Sequence, residues 1–346
     1  MHRSHTASAH TVVRAALLCA VSTTSALAQG ANWTQHSVAG PSARQITSMA
    51  FDTSRSASLL FGGYSNSGPN SDTWEWTGTQ WSLLSTVGPS PRGYHGMTYD
   101  TDRHVAVLFG GYNGVARNAE TWEWNGASWT QKAIGLTAPS SRNYPAMVYD
   151  TARHVTVLFG GFVTGNAANG ETWEWDGSAW TQRIISGSPT PRYWHAMAYD
   201  SARHVTVLFG GTLASGAYTN ETWEYDGAAW TLRASTGPAA RGGHALAYDA
   251  ARGVTVLFGG FIANADTWEW NGSAWTSRVM SGPSARYSTS MTYDPARGAC
   301  VLFGGQLMGG SYTGQTWELQ GECSPPSISA QPSHQTVCPE IGRAHV

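Results

Sequence analysis

Six arginines recur along the chain at intervals close to fifty residues: Arg44, Arg92, Arg142, Arg192, Arg241 and Arg286. Three residues after each stands Thr47, His95, Pro145, His195, His244 or Thr289. A guanidinium is always charged and presents a rigid fork of donors that fits carboxylate or phosphate. Six of them around one axis would make a positive rim. They could equally pair with acids of their own repeats, and the sequence leaves both arrangements open. His95, His195 and His244 could share a metal only if their segments converge, and they form no compact ligand motif. Trp194 is the one tryptophan of 17 outside a repeated position, and it sits between Tyr193 and His195. Tyr94 and Tyr144 occupy its place in earlier copies, and Tyr64, Tyr112, Phe162, Tyr218 and Tyr312 follow the glycine pairs or lie a few residues beyond them. Aromatic rings near a concave polar rim suit a sugar or a peptide. The expected ligand contacts are therefore Arg92, Arg142, Arg192, Arg241, Arg286, Tyr94, Tyr144, Tyr193, Trp194 and His195. No Gly-x-Ser-x-Gly elbow, P-loop or His-Glu-x-x-His is present, so no catalytic residue, metal or cofactor is assigned.

The elements that must carry these residues repeat six times. Leu-Phe-Gly-Gly occurs at residues 60–63, 108–111, 158–161, 208–211, 257–260 and 302–305, spaced by 48, 50, 50, 49 and 45 residues. The glycine pairs are Gly62-Gly63, Gly110-Gly111, Gly160-Gly161, Gly210-Gly211, Gly259-Gly260 and Gly304-Gly305. A Thr-Trp-Glu-aromatic run follows, with its first tryptophan at Trp74, Trp122, Trp173, Trp223 and Trp268; the sixth copy has Trp317 and ends in Leu319. A further tryptophan comes next at Trp81, Trp129, Trp180, Trp230 and Trp275. Each unit reads as four short strands. In the second, Met97–Tyr99 ends strand a before a turn at Asp100–Arg103. Val105–Phe109 is strand b, rich in β-branched and apolar residues. Thr121–Trp124 alternates as strand c. Asn125-Gly126 makes a tight hairpin, since both residues tolerate positive φ, and Ser128–Gln131 is strand d. No segment has the length and period of a helix. Tryptophans and strand-c glutamates repeated this faithfully predict a structural role.

A four-stranded unit near fifty residues with Gly-Gly and spaced aromatics resembles the kelch repeat. The resemblance covers about residues 32–319. It implies an all-β fold, a six-bladed propeller of four antiparallel strands per blade, with strand a innermost. It also implies that the d–a and b–c loops share the face where ligands meet such propellers. The copper oxidases built on this fold need a cysteine-crosslinked tyrosine and histidine ligands, a set not visible here. Blade six lacks a tryptophan after Leu319, while Trp33 lies 48 residues before Trp81 in a Trp-Thr-Gln run matching two strand-d segments. The N-terminal strand is therefore predicted to complete blade six, and the ring would keep no open edge.

The chain ends read differently. Residues 1–28 have the charged, apolar and small-x-small regions of a secretory signal peptide. Their removal would leave 18 basic against 22 acidic residues and a charge of −4 in the rest of the chain, with the propeller at residues 29–322. That balance gives no reason to expect a nucleic-acid surface, and no run of about 20 apolar residues predicts a membrane span. Residues 323–339 are rich in proline and serine, a linker or the start of an immunoglobulin-like domain. Residues 340–346 back-translate to a common sequencing-library adapter and read as non-biological. Export permits disulfides, and Cys300 and Cys323 are a plausible pair; Cys338 is left over. The expected function is a secreted, monomeric, non-catalytic module that binds or scaffolds protein or glycan through the d–a and b–c loops. The alternative is an extracellular carbohydrate-active enzyme of lyase or oxidase type.

Overall fold

The computed structural model describes residues 31–321 except 133, 134, 136 and 262–264. The expected signal peptide, Cys323, Cys338 and the C-terminal segments lie outside the described residues. Within them the chain forms six four-stranded antiparallel sheets and no helix. Five blades follow the chain directly. In the second, Gly96–Asp100 (a), Val105–Phe109 (b), Thr121–Trp124 (c) and Trp129–Gln131 (d) lie side by side in that order. The six a strands form a closed ring, each beside its two neighbours. This is a β-propeller.

The sixth blade is completed from the other end of the chain. Its a, b and c strands are Ser290–Asp294, Ala299–Phe303 and Thr316–Gln320, and Asn32–His36 pairs antiparallel with the last of these, Trp33 opposite Leu319. The reason is visible in one side chain. In every blade the strand-d tryptophan donates its indole N–H to a strand-c threonine of the preceding blade: Trp129 to Thr73, Trp180 to Thr121, Trp230 to Thr172, Trp275 to Thr222 and Trp81 to Thr316. Trp33 does the same to Thr267 at 3.0 Å and stands edge-on to Phe258. An indole buried without an acceptor is costly, so this position selects tryptophan and the matching threonine together.

The blades pack face to face through strand b, whose Leu-Phe pairs are fully buried. The strand-c aromatics divide their work. The second of each run (Trp76, Trp124, Trp175, Tyr225, Trp270) is wholly buried. The first is buried only at Trp173 and half-buried in the other blades, with its indole N–H bonded to the residue just before the strand, as in Trp122 to Glu120 at 3.0 Å. All the repeated tryptophans were expected to be structural, and the second of each strand-c run is the more deeply buried. Cys300 is fully buried among Trp33, Phe258 and Leu319.

Candidate functional site

Two faces close the ring. On one, the a–b turns meet the c–d hairpins. Asp100 Oδ1 accepts the backbone N–H groups of Asp102 and Arg103 and so ties the turn. Arg103 donates to Asp100 and to Glu123 on strand c. Glu123 also accepts from Trp175 of the next blade and faces Lys132, the residue just past strand d. The set recurs as Arg203, Glu224, Trp270 and Arg233, and at the ring closure as Arg297, Glu318, Trp76 and His36. Arg103 lies against Gly177 of the next hairpin, where a side chain at φ +96° would be strained and would meet the guanidinium at 2.6 Å. The strand-c glutamates thus serve the structural role expected of them.

The other face carries the d–a and b–c loops and every residue expected to touch a ligand. Its arginines are turned inward. Arg92, Arg142, Arg192, Arg241 and Arg286, like Arg44, are 0–2% exposed. Arg192 donates to the carbonyls of Thr190 and Gly210, to the Thr190 hydroxyl and to Glu221 at 2.6 Å. Arg92 meets Glu120, Arg142 meets Glu171 and Arg241 meets Asp266 in the same way. The carbonyl of each arginine accepts the N–H of the second glycine of the preceding blade's pair, and Gly305 to Arg44 closes the circle. The arginines are therefore staples within and between blades, not an exposed rim. The physical reason is local: the guanidinium is too close to its own Gly-Gly carbonyl and loop acid to reach solvent. Burial pushes the carboxyls of Glu120, Glu171 and Glu221 up, but the hydrogen bonds from the arginine and the neighbouring tryptophan together outweigh it and hold them below their ordinary values.

Above the arginines, six equivalent residues surround the axis with left-handed backbones: Ile46, Tyr94, Tyr144, Trp194, Gly243 and Ser288. Backbone hydrogen bonds run from one blade to the next among them, as in Tyr144 N–H to Tyr94 O at 2.7 Å and Ser288 N–H to Gly243 O at 2.7 Å. Left-handed φ is strained for residues with a side chain, so the five non-glycine members of this ring are held in it by these bonds. The Trp194 ring lies across Gly243, where a Cβ would stand 2.8 Å from the indole. That contact explains why Trp194 is tolerated here. Its Nε1 has no partner.

Below this ring His95, His195 and His244 are buried, each edge-on to a phenylalanine of the preceding blade. Burial, helped by the neighbouring arginine, pushes each pKa down to about 3, so the imidazoles are neutral. No set of three His, Cys, Asp or Glu among the described residues is arranged to hold a metal. A small cavity of 110 Å³ lies between the histidines and the ring of Tyr94, Tyr144 and Trp194.

Aromatic rings continue outward without a break. Tyr64 meets Tyr94, Tyr94 meets Tyr144 at 4.4 Å, and Tyr144 meets both Tyr193 and Trp194. Trp194 meets Phe261 and Tyr287. Tyr94, Tyr144, Tyr193, Trp194 and His195 are thus brought to one end of the axis, His195 beneath the others. Phe261 was missed in the sequence, although it follows its Gly-Gly pair directly, as Tyr64, Tyr112 and Phe162 do. Arg117 was missed as well, because no sibling blade has its like. It lines a second cleft of 430 Å³ with Tyr64, Tyr94, Tyr112, Asn143 and Tyr144.

No family model matches the chain, and no curated protein matches it. Among solved structures, one described as "Structure of YjhT" aligns with a TM-score of 0.65 over 80% of this chain and 95% of that one, at 14% sequence identity. At that identity the likeness speaks for the architecture, and it agrees with the ring of sheets: the fold is a β-propeller.

Proposed function

We propose that this protein is a secreted, kelch-type propeller that binds glycan on its d–a and b–c loop face. The observation that carries this reading is the unbroken path of aromatic rings from Tyr64 in blade one to Tyr287 in blade six, laid over the left-handed ring at the mouth of the channel. Aromatic faces stack on the C–H faces of sugars, and the clefts beside them are narrow and partly polar. A protein partner would need a broader continuous patch. The repeated arginines, glutamates and strand tryptophans favour a scaffold, since they are consumed by bonds within and between blades; the aromatics of the loop face, Trp194 and Phe261 among them, vary from blade to blade and remain for recognition. Phe261 is 37% exposed.

A glycan array probed with the purified protein tests this, with Trp194→Ala and Phe261→Ala as controls. Binding to a set of related glycans is expected, and loss of either ring should weaken it by a hot-spot amount, about 2 kcal/mol. A blank array, or binding indifferent to both variants, overturns the reading. Incubating any bound glycan with the protein and analysing the products separates recognition from lyase or oxidase chemistry: an altered glycan would move the protein to the enzyme class.

A further inference from the structure

Arg117 differs from the other arginines of the loop face. Its Nε donates to Asn143 Oδ1 at 3.2 Å and its Nη2 to Asn166 Oδ1 at 3.0 Å. One face of the guanidinium lies over Phe162, 5.1 Å from the ring centre. All of these partners are neutral, and no carboxylate among the described residues pairs with it. Its backbone is pinned by a β-bridge to Tyr112. A guanidinium has five N–H donors. The two amides take Nε and one N–H of Nη2, so both N–H groups of Nη1 and the other of Nη2 have no hydrogen bond among the described residues. Two such donors side by side are the fork that grips a carboxylate through parallel hydrogen bonds.

The surroundings suit a sugar carrying that carboxylate. Tyr64 donates its hydroxyl proton to the Tyr112 carbonyl at 3.2 Å, and Tyr112 donates to the Gly114 carbonyl at 3.0 Å. Both phenol oxygens therefore keep their acceptor capacity for sugar hydroxyls. Burial raises the Tyr64 phenol to about 12, so it stays protonated and its donor stays committed. The cleft holds 430 Å³, within the roughly 300–1,000 Å³ of small-ligand sites. We infer that the cleft between the blade-two and blade-three loops takes a uronic-acid residue of an acidic oligosaccharide, with Arg117 on the carboxylate and Tyr64 and Tyr112 on the ring. This rests on the glycan reading above and narrows it.

Calorimetric titration with tetragalacturonate and with its fully methyl-esterified form tests the charge separately from the sugar. The acid should bind at least tenfold more tightly than the ester, and the margin should shrink with added salt. Arg117→Met should remove the margin, so that acid and ester bind alike, while the protein still melts cooperatively. Arg117→Lys, which keeps the charge and loses the fork, should retain only part of it. Equal binding of acid and ester, or a margin that survives Arg117→Met, overturns this inference while the glycan reading stands. Failure of the acid, and of oligoglucuronate and oligomannuronate in the same titration, also overturns it; the neutral glycans of the array then decide the broader reading on their own.

Discussion

The two faces of the propeller are built from the same six repeats and have different fates. On the turn face, Asp, Arg and Glu recur in register, and the arginines and glutamates of Arg103–Glu123 and Arg203–Glu224 are bound in the same way. Even the leftover is repeated: one terminal nitrogen of Arg103, Arg153, Arg203, Arg252 and Arg297 lacks a partner in each case. On the loop face the buried arginines are equally regular, but the layer above them is not. Ile46, Tyr94, Tyr144, Trp194, Gly243 and Ser288 share one backbone conformation and range from no side chain to the largest. Six-fold regularity is what a closed ring requires of every blade, whereas a ligand touches only a few of them. Departure from the repeat therefore locates recognition better than the repeat does.

That comparison presumes that both faces hang on one closed ring. Deleting residues 31–36 removes the outer strand of blade six, the Trp33–Thr267 bond and the edge-on contact with Phe258. The expected outcome is loss of the cooperative melting transition, followed by circular dichroism and tryptophan fluorescence together. A deletion variant that melts like the parent, or faces that melt apart, would break the comparison at its base.

The next largest effect is a pH dependence that belongs to the loop face. His95, His195 and His244 have pKa values near 3 in the fold, against an ordinary value of 6.5. The unfolded chain therefore binds protons that the folded chain refuses. Stability is full above about pH 6.5 and falls as pH drops from there towards 3. Each histidine adds at most about 1 kcal/mol per pH unit to the fall within that window. Asp72, Glu120, Glu171 and Glu221, which pair with staple arginines, are held below their ordinary values, so the stretch from about 6.5 to 5 falls to the buried histidines. Urea midpoints measured across it should fall steadily. Replacing His95 and His244 with threonine, the residue that blades one and six carry there, should flatten the slope by about two thirds. An unchanged slope would mean that the rings are not held neutral beneath the mouth.

How much of this could be read beforehand follows from the same contrast. The strands, the blade count and the displaced Trp33 were legible because six copies align and one copy lacks its tryptophan. The buried fate of the arginines was left open. Their direction depends on a partner outside the recognised motif, the residue just before Thr-Trp-Glu: Asp72, Glu120, Glu171, Glu221 and Asp266. Five acids in six such positions were a signal in the sequence. Arg117 gave none, because its meaning comes from Asn143, Asn166 and Phe162, brought together by loops of two blades.

Trp194 and Trp175 sharpen the comparison at the level of single side chains. Trp175 is 1% exposed, packs on Trp180 and donates to Glu123 of the preceding blade. Trp175→Ala should cost about 3–5 kcal/mol, the usual range for a buried large-to-small change. Trp194 is half-buried, its indole N–H is unpartnered, and its left-handed backbone is one that glycine adopts freely. Trp194→Gly copies what blade five already has at Gly243, so part of the lost packing is offset by relieved strain. A cost of about 1 kcal/mol is expected from denaturant melts. A loss comparable with Trp175→Ala would place Trp194 among the structural residues and leave the loop face without its central ring.

The smallest effect should be a gain. Arg286 is as buried as its five siblings, yet its partner is Gln315, at 2.6 Å, where the others have a carboxylate. Burial without a counter-charge pulls its pKa down to about 10. Gln315 is bonded on both sides, to Arg286 and to the Trp317 indole, so its amide oxygen copies the geometry of the acids but not their charge. Gln315→Glu would supply the charge at the same place. The sibling carboxylates are 18–36% exposed, so solvent screens part of the attraction. A stabilisation of about 0.5–1 kcal/mol is therefore expected, seen as a rise of roughly 1–4 °C in melting temperature. The reverse change in a sibling, Glu221→Gln, should lower it by a similar amount, because Arg192 would then stand as Arg286 does now. If Gln315→Glu is neutral while Glu221→Gln is costly, the sixth repeat has been retuned around its amide. The loop-face staples would then be less interchangeable than their geometry implies.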